Sequence, residues 1–381
     1  MPDPDWDPQS EAALDDPEAA YDAMRQRCPV AWSERLGWSL FRHADVLRVL
    51  EDHETFSNAV SRHRSVPNGM DPPEHTAYRE AIEPFFGEER IRRFEPVCRD
   101  IATALLQPLA VRGSFECMED FAIPFALRCQ CDCLGWPRAL AEPVRVWTRR
   151  STEATRAGHR ATLVAVAREF REQVGRLLEA RRAAGASAPG DVIAELMQAR
   201  VGGSPLTDDD IASILRNWTV GELGSIAAGI GILAHRLAAE GTLQDRLRAD
   251  PSLLPAAIDE ILRISGPLVL NRRVATRDVT VGGRPIKAGE PLSLMWISAN
   301  RDERVFDRPH EVRPDRDPGP NLLYGAGIHV CPGAPLARLE LRIAMETLLA
   351  GSGHLGLGPQ AAARRAAWPA NGWRALPLEI G

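Results

Sequence analysis

The chain has 381 residues, of which 44% are apolar and 26% charged, with a formal net charge of -6 at pH 7 and a pI near 5.9. An acidic chain without a long basic run lacks the footprint of a nucleic-acid-binding protein, and its longest apolar run, 226–234, is far shorter than the roughly 20 residues of a membrane span. The start of the chain is acidic and unlike a signal peptide, and seven cysteines without disulfide-like spacing fit a reducing compartment. We therefore expect a soluble, cytoplasmic protein with no nucleic-acid or membrane partner.

The hydrophobic spacing along the chain is mostly that of helices. Helices are predicted over 17–27, 44–51, 74–85, 90–109, 139–150, 162–184, 191–199, 207–239, 243–249, 254–264 and 334–350. Short strands are predicted between turn residues over 30–33, 39–41, 279–281 and 291–296. We expect residues 1–10 to form a disordered tip and residues 11–381 to form one domain, mainly α with small β-sheets.

Three cysteines at alternate positions, Cys129, Cys131 and Cys133, invite comparison with a metal cluster. The run from Phe125 is typical of a helix that ends at Gly135, so that only Cys129 and Cys133 share a face. A structural zinc site needs four ligands, and no second pair follows at ligand spacing. These cysteines are therefore predicted to pack in the core.

The longest predicted helix starts at a recognisable cap. Thr207 is followed three residues later by Asp210, as in a capping box with Asp in place of Glu. The helix predicted to follow it, 207–239, is unusually long.

Near the C-terminus, one cysteine lies in a glycine-rich loop directly before a predicted helix, in Tyr324-Gly325-Ala326-Gly327-Ile328-His329-Val330-Cys331-Pro332-Gly333. The partial positive charge of a helix N-terminus stabilises a thiolate, which is the form that binds iron. Gly325 and Gly327 permit bends that are closed to other residues, and Gly333 leaves room for a flat cofactor. By itself the loop allows a metal ligand, a nucleophile or a packed structural cysteine. A nucleophile is disfavoured because His329 is too near in sequence to act as its base, and Pro332 removes a backbone donor.

This decamer resembles the haem-ligand signature of the cytochrome P-450 family, with Tyr324 where the family usually has Phe. The resemblance implies the P-450 fold, a triangular helical prism with haem b (iron protoporphyrin IX) between the long central helix and the helix after the cysteine loop. It also implies that the Cys331 thiolate is the axial iron ligand.

Four more positions match family residues that bind the haem propionates. The run Asp71-Pro72-Pro73-Glu74-His75-Thr76-Ala77-Tyr78-Arg79 resembles the family motif whose His and Arg, here His75 and Arg79, hold a propionate. Arg273 and His329 match the third and fourth propionate ligands. Without the resemblance, His75 and Arg79 would be an ordinary pair on one helix face.

A further match concerns the scaffold. Glu260 and Arg263 resemble the family's Glu-x-x-Arg pair, and Arg316 resembles the third member of that triad. The resemblance implies a buried structural network behind the cysteine loop. An isolated Glu/Arg pair at this spacing would be a surface contact worth a few tenths of a kcal/mol.

The central helix departs from the family at the oxygen site, where most members carry an acid followed by an alcohol. In the favoured register Gly224 occupies the acid position, Ser225 the alcohol position, and Glu222 a position that is normally glycine. A register two residues away would put Glu222 in the acid position but leave no hydroxyl after it. Glu222 and Ser225 are three apart and share a helix face, so both are candidate catalytic residues; the alternative is that Glu222 forms a salt bridge or faces water.

The segment between Phe56 and Asp71 is shorter than in many members of the family, so the substrate pocket is expected either to be more open or to be closed by another segment. The positions expected to face substrate are mostly apolar and favour a hydrophobic or aromatic small molecule: Val60, Trp218, Gly221, Leu268, Val269 and Leu270.

The resemblance therefore implies a haem-thiolate monooxygenase that inserts one oxygen atom from O2, in a hydroxylation, O-demethylation or similar reaction. Its electrons would come from a separate ferredoxin or flavodoxin with its reductase, and Arg79, Arg338 and Arg342 are candidate docking cations. Two alternatives remain open: a peroxide-driven peroxygenase with Glu222 as acid and base, and a non-catalytic haem sensor with a degenerate oxygen site.

Overall fold

The computed structural model describes residues 4–61, 63–359 and 362–381. In these residues the α-helices, α1 to α14, span Glu11–Asp15, Pro17–Arg27, His43–Glu51, Glu74–Ile82, Glu88–Arg112, Ile123–Leu134, Ala141–Ala157, Arg160–Ala184, Val192–Gln198, Asp208–Ala239, Gly241–Ala249, Leu254–Ile264, Trp296–Ala299 and Ala334–Ala350. The strands, β1 to β14, span Val30–Ser33, Gly37–Leu40, Phe56–Ser57, Ser114–Glu116, Arg200–Val201, Ser204–Pro205, Leu270–Ala275, Val279–Val281, Arg284–Ile286, Pro291–Met295, Leu355–Leu357, Arg364–Arg365, Trp373–Ala375 and Pro377–Ile380.

The helical bulk of the protein is built around α10. The predicted capping box is present: the Thr207 hydroxyl accepts a hydrogen bond from the Asp210 amide at 3.1 Å, and Asp210 Oδ2 accepts one from the Thr207 amide at 3.2 Å. Helix α10 packs against α6, α8, α12 and α14, and buried side chains from these helices form the largest hydrophobic cluster. The middle of α10 is thus held against α14, the helix that follows the cysteine loop.

The main sheet lies beside this helical bulk, with strand order β1-β2-β10-β7-β3. Strand β10 pairs parallel to β2 and antiparallel to β7, with Leu292 opposite both Trp38 and Arg273. This register fixes the position of Arg273, whose side chain is only 2% exposed. Smaller sheets occupy the periphery, and none of the described helices is long and apolar enough to cross a membrane.

The described part of the N-terminal tip contacts the rest of the protein. Trp6 is buried, with its ring edge-on to Phe41 at 5.1 Å between centroids, and the Asp5 amide donates to the Trp32 carbonyl at 2.9 Å. Residues 1–3, which belong to the predicted tip, lie outside the described residues, and the division of the chain at residue 11 stays a prediction.

The mainly α fold with small sheets is confirmed, and several helices have the predicted ends. Departures have local causes. The predicted helix 74–85 ends at Ile82 because Pro84 cannot continue it, and a 3-10 turn, Glu83–Phe86, follows. The predicted strand 291–296 stops at Met295, and Trp296 begins the short helix α13.

Candidate active site

The cysteine loop is shaped by two glycines in the left-handed region. Gly325 has φ 79° and Gly327 has φ 66°, and a Cβ on Gly327 would lie 2.3 Å from the Leu50 carbonyl oxygen of α3. The Cys331 amide donates to the Tyr324 carbonyl at 2.8 Å and closes the loop. Gly327 is therefore required both by its backbone conformation and by the close approach of α3.

Cys331 is exposed to solvent, although its sulfur is partly surrounded by protein. Burial raises the pKa of the Cys331 thiol, while the amides of Gly333 and Ala334 and the charge of Arg79 act in the opposite direction. The predicted stabilisation of a thiolate by the helix start is present but is outweighed by desolvation. A bound cation would supply the missing counter-charge.

Four basic side chains, those of His75, Arg79, Arg273 and His329, lie close together near this loop. The rings of His75 and His329 are 4.3 Å apart between centroids. Both nitrogens of His75 and Nε2 of His329 are buried and have no hydrogen-bond partner among the described residues, while His329 Nδ1 lies 3.3 Å from Asn58 Nδ2. Arg273 donates to the Arg272 carbonyl at 2.7 Å, and no carboxylate of the described residues forms a salt bridge with it. The cluster therefore contains buried polar atoms that lack hydrogen-bond partners among the described residues.

The pKa values of His75, His329 and Arg273 are all lowered. Burial lowers the pKa of His75, with the charge of Arg79 adding to it. Burial and the neighbouring His75 and Arg273 lower the pKa of His329 to about 3, and burial lowers the pKa of Arg273 to about 10. Two carboxylates placed among these side chains would oppose each of these shifts.

The predicted scaffold triad comes together behind the loop. Arg263 is fully buried and contacts Glu260 through Nε at 2.7 Å and Nη2 at 2.9 Å, and Arg316 Nε contacts Glu260 at 2.7 Å. Arg263 also donates to the carbonyl of Asn300, whose Oδ1 accepts from the Leu322 amide at 2.8 Å. The network therefore connects α12 to the start of the cysteine loop.

Comparison with known proteins agrees with this geometry. The pattern that describes the family Cytochrome P-450 matches residues 140–351. The chain belongs to the cytochrome P-450 family. It is 33% identical over 346 residues to erythromycin C-12 hydroxylase from Saccharopolyspora erythraea, with 87% of this chain and 86% of the relative covered. It is 31% identical over 324 residues to cyclomarin C epoxidase CymV from Salinispora arenicola, with 82% of each chain covered. Among solved structures, the open form of cytochrome P-450 EryK from S. erythraea has a TM-score of 0.88 at 29% identity, covering 98% of this chain and 97% of that one.

This P-450 is a haem monooxygenase of the oxidoreductase class, and its cofactor is haem b. The residues present fit that group. The unpaired nitrogens of His75 and His329 can donate hydrogen bonds, and the buried guanidinium of Arg273 supplies positive charge, so the three side chains suit two propionates. The exposed Cys331 lies beside them, and a Cβ on Gly333 would be 3.9 Å from the Cys331 sulfur.

On the central helix, α10, the glycines open a groove. Nothing lies within 4 Å of a Cβ built on Gly221 or Gly224, and both residues are exposed. Ser225 is half-buried beside them. The groove lies in the stretch that contains the predicted oxygen-site residues.

Glu222 faces a protein interior rather than an ion pair. It is half-buried, its Oε1 is shielded and has no partner among the described residues, and burial raises its pKa to about 8. No salt bridge from the described residues reaches it, so the ion pair considered as one alternative for the sequence is not formed. Glu340 of α14 is fully buried with both oxygens unpaired, and burial, followed by the charge of Glu222, raises its pKa.

The neighbours of this acid pair include cysteines. Cys98 and Cys129 are buried with their sulfurs 3.8 Å apart, and their ligand atoms and that of Glu340 lie within 4.8 Å of one another. Cys131 is buried, as predicted for core packing, and Cys133 is half-buried. The sequence did not predict that Cys98 and Glu340 lie next to Cys129, because both are distant from Cys129 along the chain.

The predicted pocket residues divide into two groups. Val60 is 47% and Leu268 53% exposed, whereas Val269 is 4% exposed and packs with Leu36 and Met295 in the cluster under the main sheet. Val269 therefore does not face the groove. Leu270 is half-buried against the same cluster.

Trp218 is held in place by two aromatic residues that the sequence did not single out. Its ring lies 5.6 Å from that of Phe85 and 5.1 Å from that of Phe86. Phe86 also reaches the cysteine loop, where its Cε1 would be 3.6 Å from a Cβ on Gly333. The signal available in the sequence was the Phe-Phe pair directly after Pro84.

The proposed docking arginines already have acidic partners. Arg79 pairs with Glu83 at 3.0 Å, and Arg338 pairs with Asp259 at 2.9 Å while stacking over the Tyr324 ring at 4.5 Å. Arg342 pairs with both Glu95 and Glu346. Of the three side chains, only Arg338 is more than half exposed, at 52%.

Proposed function

We propose that Cys331 is the axial iron ligand and that His75, Arg79, Arg273 and His329 hold the haem propionates. The observation that carries this proposal is the group of unpaired buried basic side chains beside an exposed cysteine. Haem with a thiolate ligand activates dioxygen, given two electrons and two protons. Gly325 and Gly333 keep side chains away from the face where haem would approach the loop.

On the distal side, the proposal assigns Gly221 and Gly224 to the walls of the oxygen groove. Ser225 would hold a water through its hydroxyl. Glu222, with its pKa raised to about 8, keeps its proton at neutral pH and would pass that proton to the water. Gly224 leaves the usual acid position empty, and Glu222, three residues before Ser225 and on the same helix face as Ser225, would supply the acid instead.

The proposed substrate is a small molecule with a hydrophobic or aromatic body, oxidised by hydroxylation, O-demethylation or a similar reaction. The exposed Val60, Leu268 and Val220 and the aromatic ring of Trp218 support an apolar contact surface. The relatives named for hydroxylation and epoxidation show which chemistry occurs on similar chains.

We propose electron supply by a separate ferredoxin or flavodoxin, with Arg338 as the most exposed of the three docking candidates. The seven free thiols agree with a cytoplasmic location.

The test is a spectrum and a turnover screen. Haem-loaded protein with carbon monoxide should show the strongly red-shifted Soret band of a thiolate complex. The Cys331→His variant should bind haem but lose that band. Oxygen-dependent turnover of substrate in the presence of ferredoxin and its reductase supports the monooxygenase assignment; haem binding without any turnover would oppose it.

A second candidate activity, peroxide-driven oxidation, is favoured by one observation: the pKa of Glu222 lies near neutrality. The fraction of Glu222 that is ionised near neutral pH could accept a proton from hydrogen peroxide and return it to the leaving oxygen. Replacing Glu222 with Gln should abolish peroxide-supported turnover but spare haem binding. Unchanged peroxide turnover would remove this candidate.

A further inference from the structure

Arg216 lies where the segment before α4 meets the central helix. Its Nη2 donates to the Arg64 carbonyl at 3.3 Å. Asn217 donates to the Val66 carbonyl at 2.8 Å, and Ser213 accepts from the Val66 amide at 3.0 Å. These contacts fix residues 64–66, which belong to the predicted cap of the pocket, to one side of α10. They also hold Arg216 beside this segment.

The acidic residues at the start of α10 are occupied by other cations. Asp208 pairs with Arg182, Asp209 with Arg171 at 3.3 Å, and Asp210 with Arg64 at 3.2 Å. No carboxylate within the described ranges comes within salt-bridge distance of the Arg216 guanidinium. A half-buried cation in this position lacks its counter-ion.

The surroundings of Arg216 are positive. Burial lowers the pKa of Arg216, and repulsion by Arg171 adds to the effect. Burial, followed by the charges of Arg216 and Arg171, lowers the pKa of His63 in the same region. An anion that entered here would relieve the repulsion and would be bound by a guanidinium that has few competing partners.

Two exposed residues of α10, Val220 and Gly224, lie in line with Arg216 along the helix. Val220 and Gly224 follow at intervals of four residues, which places the three on neighbouring turns of one side of α10. Val220 is 50% exposed, and nothing lies within 4 Å of a Cβ on Gly224. Eight residues of helix span about 12 Å, the length of an extended small molecule.

We propose that Arg216 binds the carboxylate of an amphipathic substrate at the mouth of the pocket, with the apolar part of the substrate lying along Val220 towards Gly224. The inference rests on the proposed function and specifies the class of its substrate. A carboxylate is favoured over a phosphate because one guanidinium balances a single negative charge. The neighbouring polar groups, the Asn217 amide and the Ser213 hydroxyl, are already engaged with Val66.

The test measures binding to the haem-loaded protein by calorimetry, with dodecanoate, dodecanamide and dodecyl phosphate as probes. Arg216→Gln should weaken dodecanoate binding about tenfold or more, as expected for a lost charge-assisted contact, and leave dodecanamide binding within about twofold. The control, Arg171→Gln, removes a nearby exposed cation that is paired with Asp209 and should change dodecanoate binding less than about threefold. Arg216→Lys should retain part of the preference for the carboxylate.

Three results would overturn the inference: equal affinity of the parent protein for dodecanoate and dodecanamide, an equal loss in Arg171→Gln, or tighter binding of dodecyl phosphate than of dodecanoate. These outcomes are separable from failure of the proposed function. A normal thiolate spectrum with no carboxylate preference refutes only the role of Arg216. An absent thiolate spectrum refutes the haem ligation itself.

Discussion

Replacing Glu222 with Gln should make this P-450 more stable at alkaline pH and leave its stability at pH 5 nearly unchanged. Burial raises the pKa of Glu222 from its ordinary 4.5 to about 8 in the folded protein. Below pH 4.5 the carboxyl group is protonated in both folded and unfolded chains. Between pH 4.5 and 8 the unfolded chain loses this proton while the folded chain keeps it, so the free energy of unfolding falls as the pH rises.

The size of the effect follows from the two pKa values. At about 1.4 kcal/mol per pH unit, the full difference corresponds to about 5 kcal/mol. Because Glu222 is half-buried, solvent screening reduces this figure, and we expect about 2–4 kcal/mol. Glu340, with a pKa also raised, retains part of the pH dependence in the variant, and Cys129 and Cys133 titrate only above the range considered.

The assay is urea unfolding of the haem-loaded protein at pH 5, 7 and 9, followed by circular dichroism. The variant should gain stability relative to the parent progressively from pH 5 to pH 9. Glu89→Gln is the matched control, because Glu89 is 76% exposed and pairs with Arg93 on the surface; its difference from the parent should be small at every pH. A Glu222→Gln difference that does not vary with pH would refute the argument from desolvation.

Three other substitutions test the scaffold and the haem recess. Gly327→Ala should reduce haem content several-fold, because the added Cβ would meet the Leu50 carbonyl oxygen. Gly158 has the same φ of 66° but open space around it, so Gly158→Ala should lower the free energy of unfolding by only about 1 kcal/mol and leave haem content unchanged. Haem content is measured by absorbance, and stability by urea unfolding. Arg263→Met should destabilise the protein by about 3–5 kcal/mol, because it leaves Glu260 buried without its main partner. Arg93 belongs to an exposed pair, so Arg93→Met should destabilise the protein by less than about 1 kcal/mol. Equal losses of stability in the two variants would contradict the burial argument. His75→Phe should speed the transfer of haem to an acceptor protein. The haem-free variant should be at least as stable as the haem-free parent, because the substitution removes two unpaired buried nitrogens. Unchanged haem transfer would show that His75 does not hold the cofactor.

Local signals in the sequence predicted the elements that carry the site. The capping box at Thr207, the prolines at the starts of α2 and α14 and the glycine at the end of α6 each satisfy or terminate a helix without help from distant residues. The two- and three-residue strands at the edges were missed because they are too short to show alternation. Their stability comes from partners such as β14, which pairs with β4 more than 250 residues away.

The sequence also did not predict contacts between residues that are far apart along the chain and meet only in the folded protein. Glu340 and Cys98 belong to helices that meet Glu222 only in the folded protein, and Arg216 is distinctive because neighbouring cations take up the nearby carboxylates. Val269 was expected at the pocket from its place beside Leu268. Its side chain instead packs in the cluster under the sheet, directly before β7 begins at Leu270.

The identity of the fifth iron ligand is the point on which the whole account depends. The most direct measurement is the ferrous carbon monoxide spectrum of freshly prepared haem-loaded protein, compared with that of Cys331→His. The account predicts a strongly red-shifted Soret band in the parent protein, and a band at the ordinary position of imidazole-ligated haem in the variant. A parent protein that binds haem stoichiometrically without the red-shifted band, or a variant that keeps it, would contradict the assignment of Cys331.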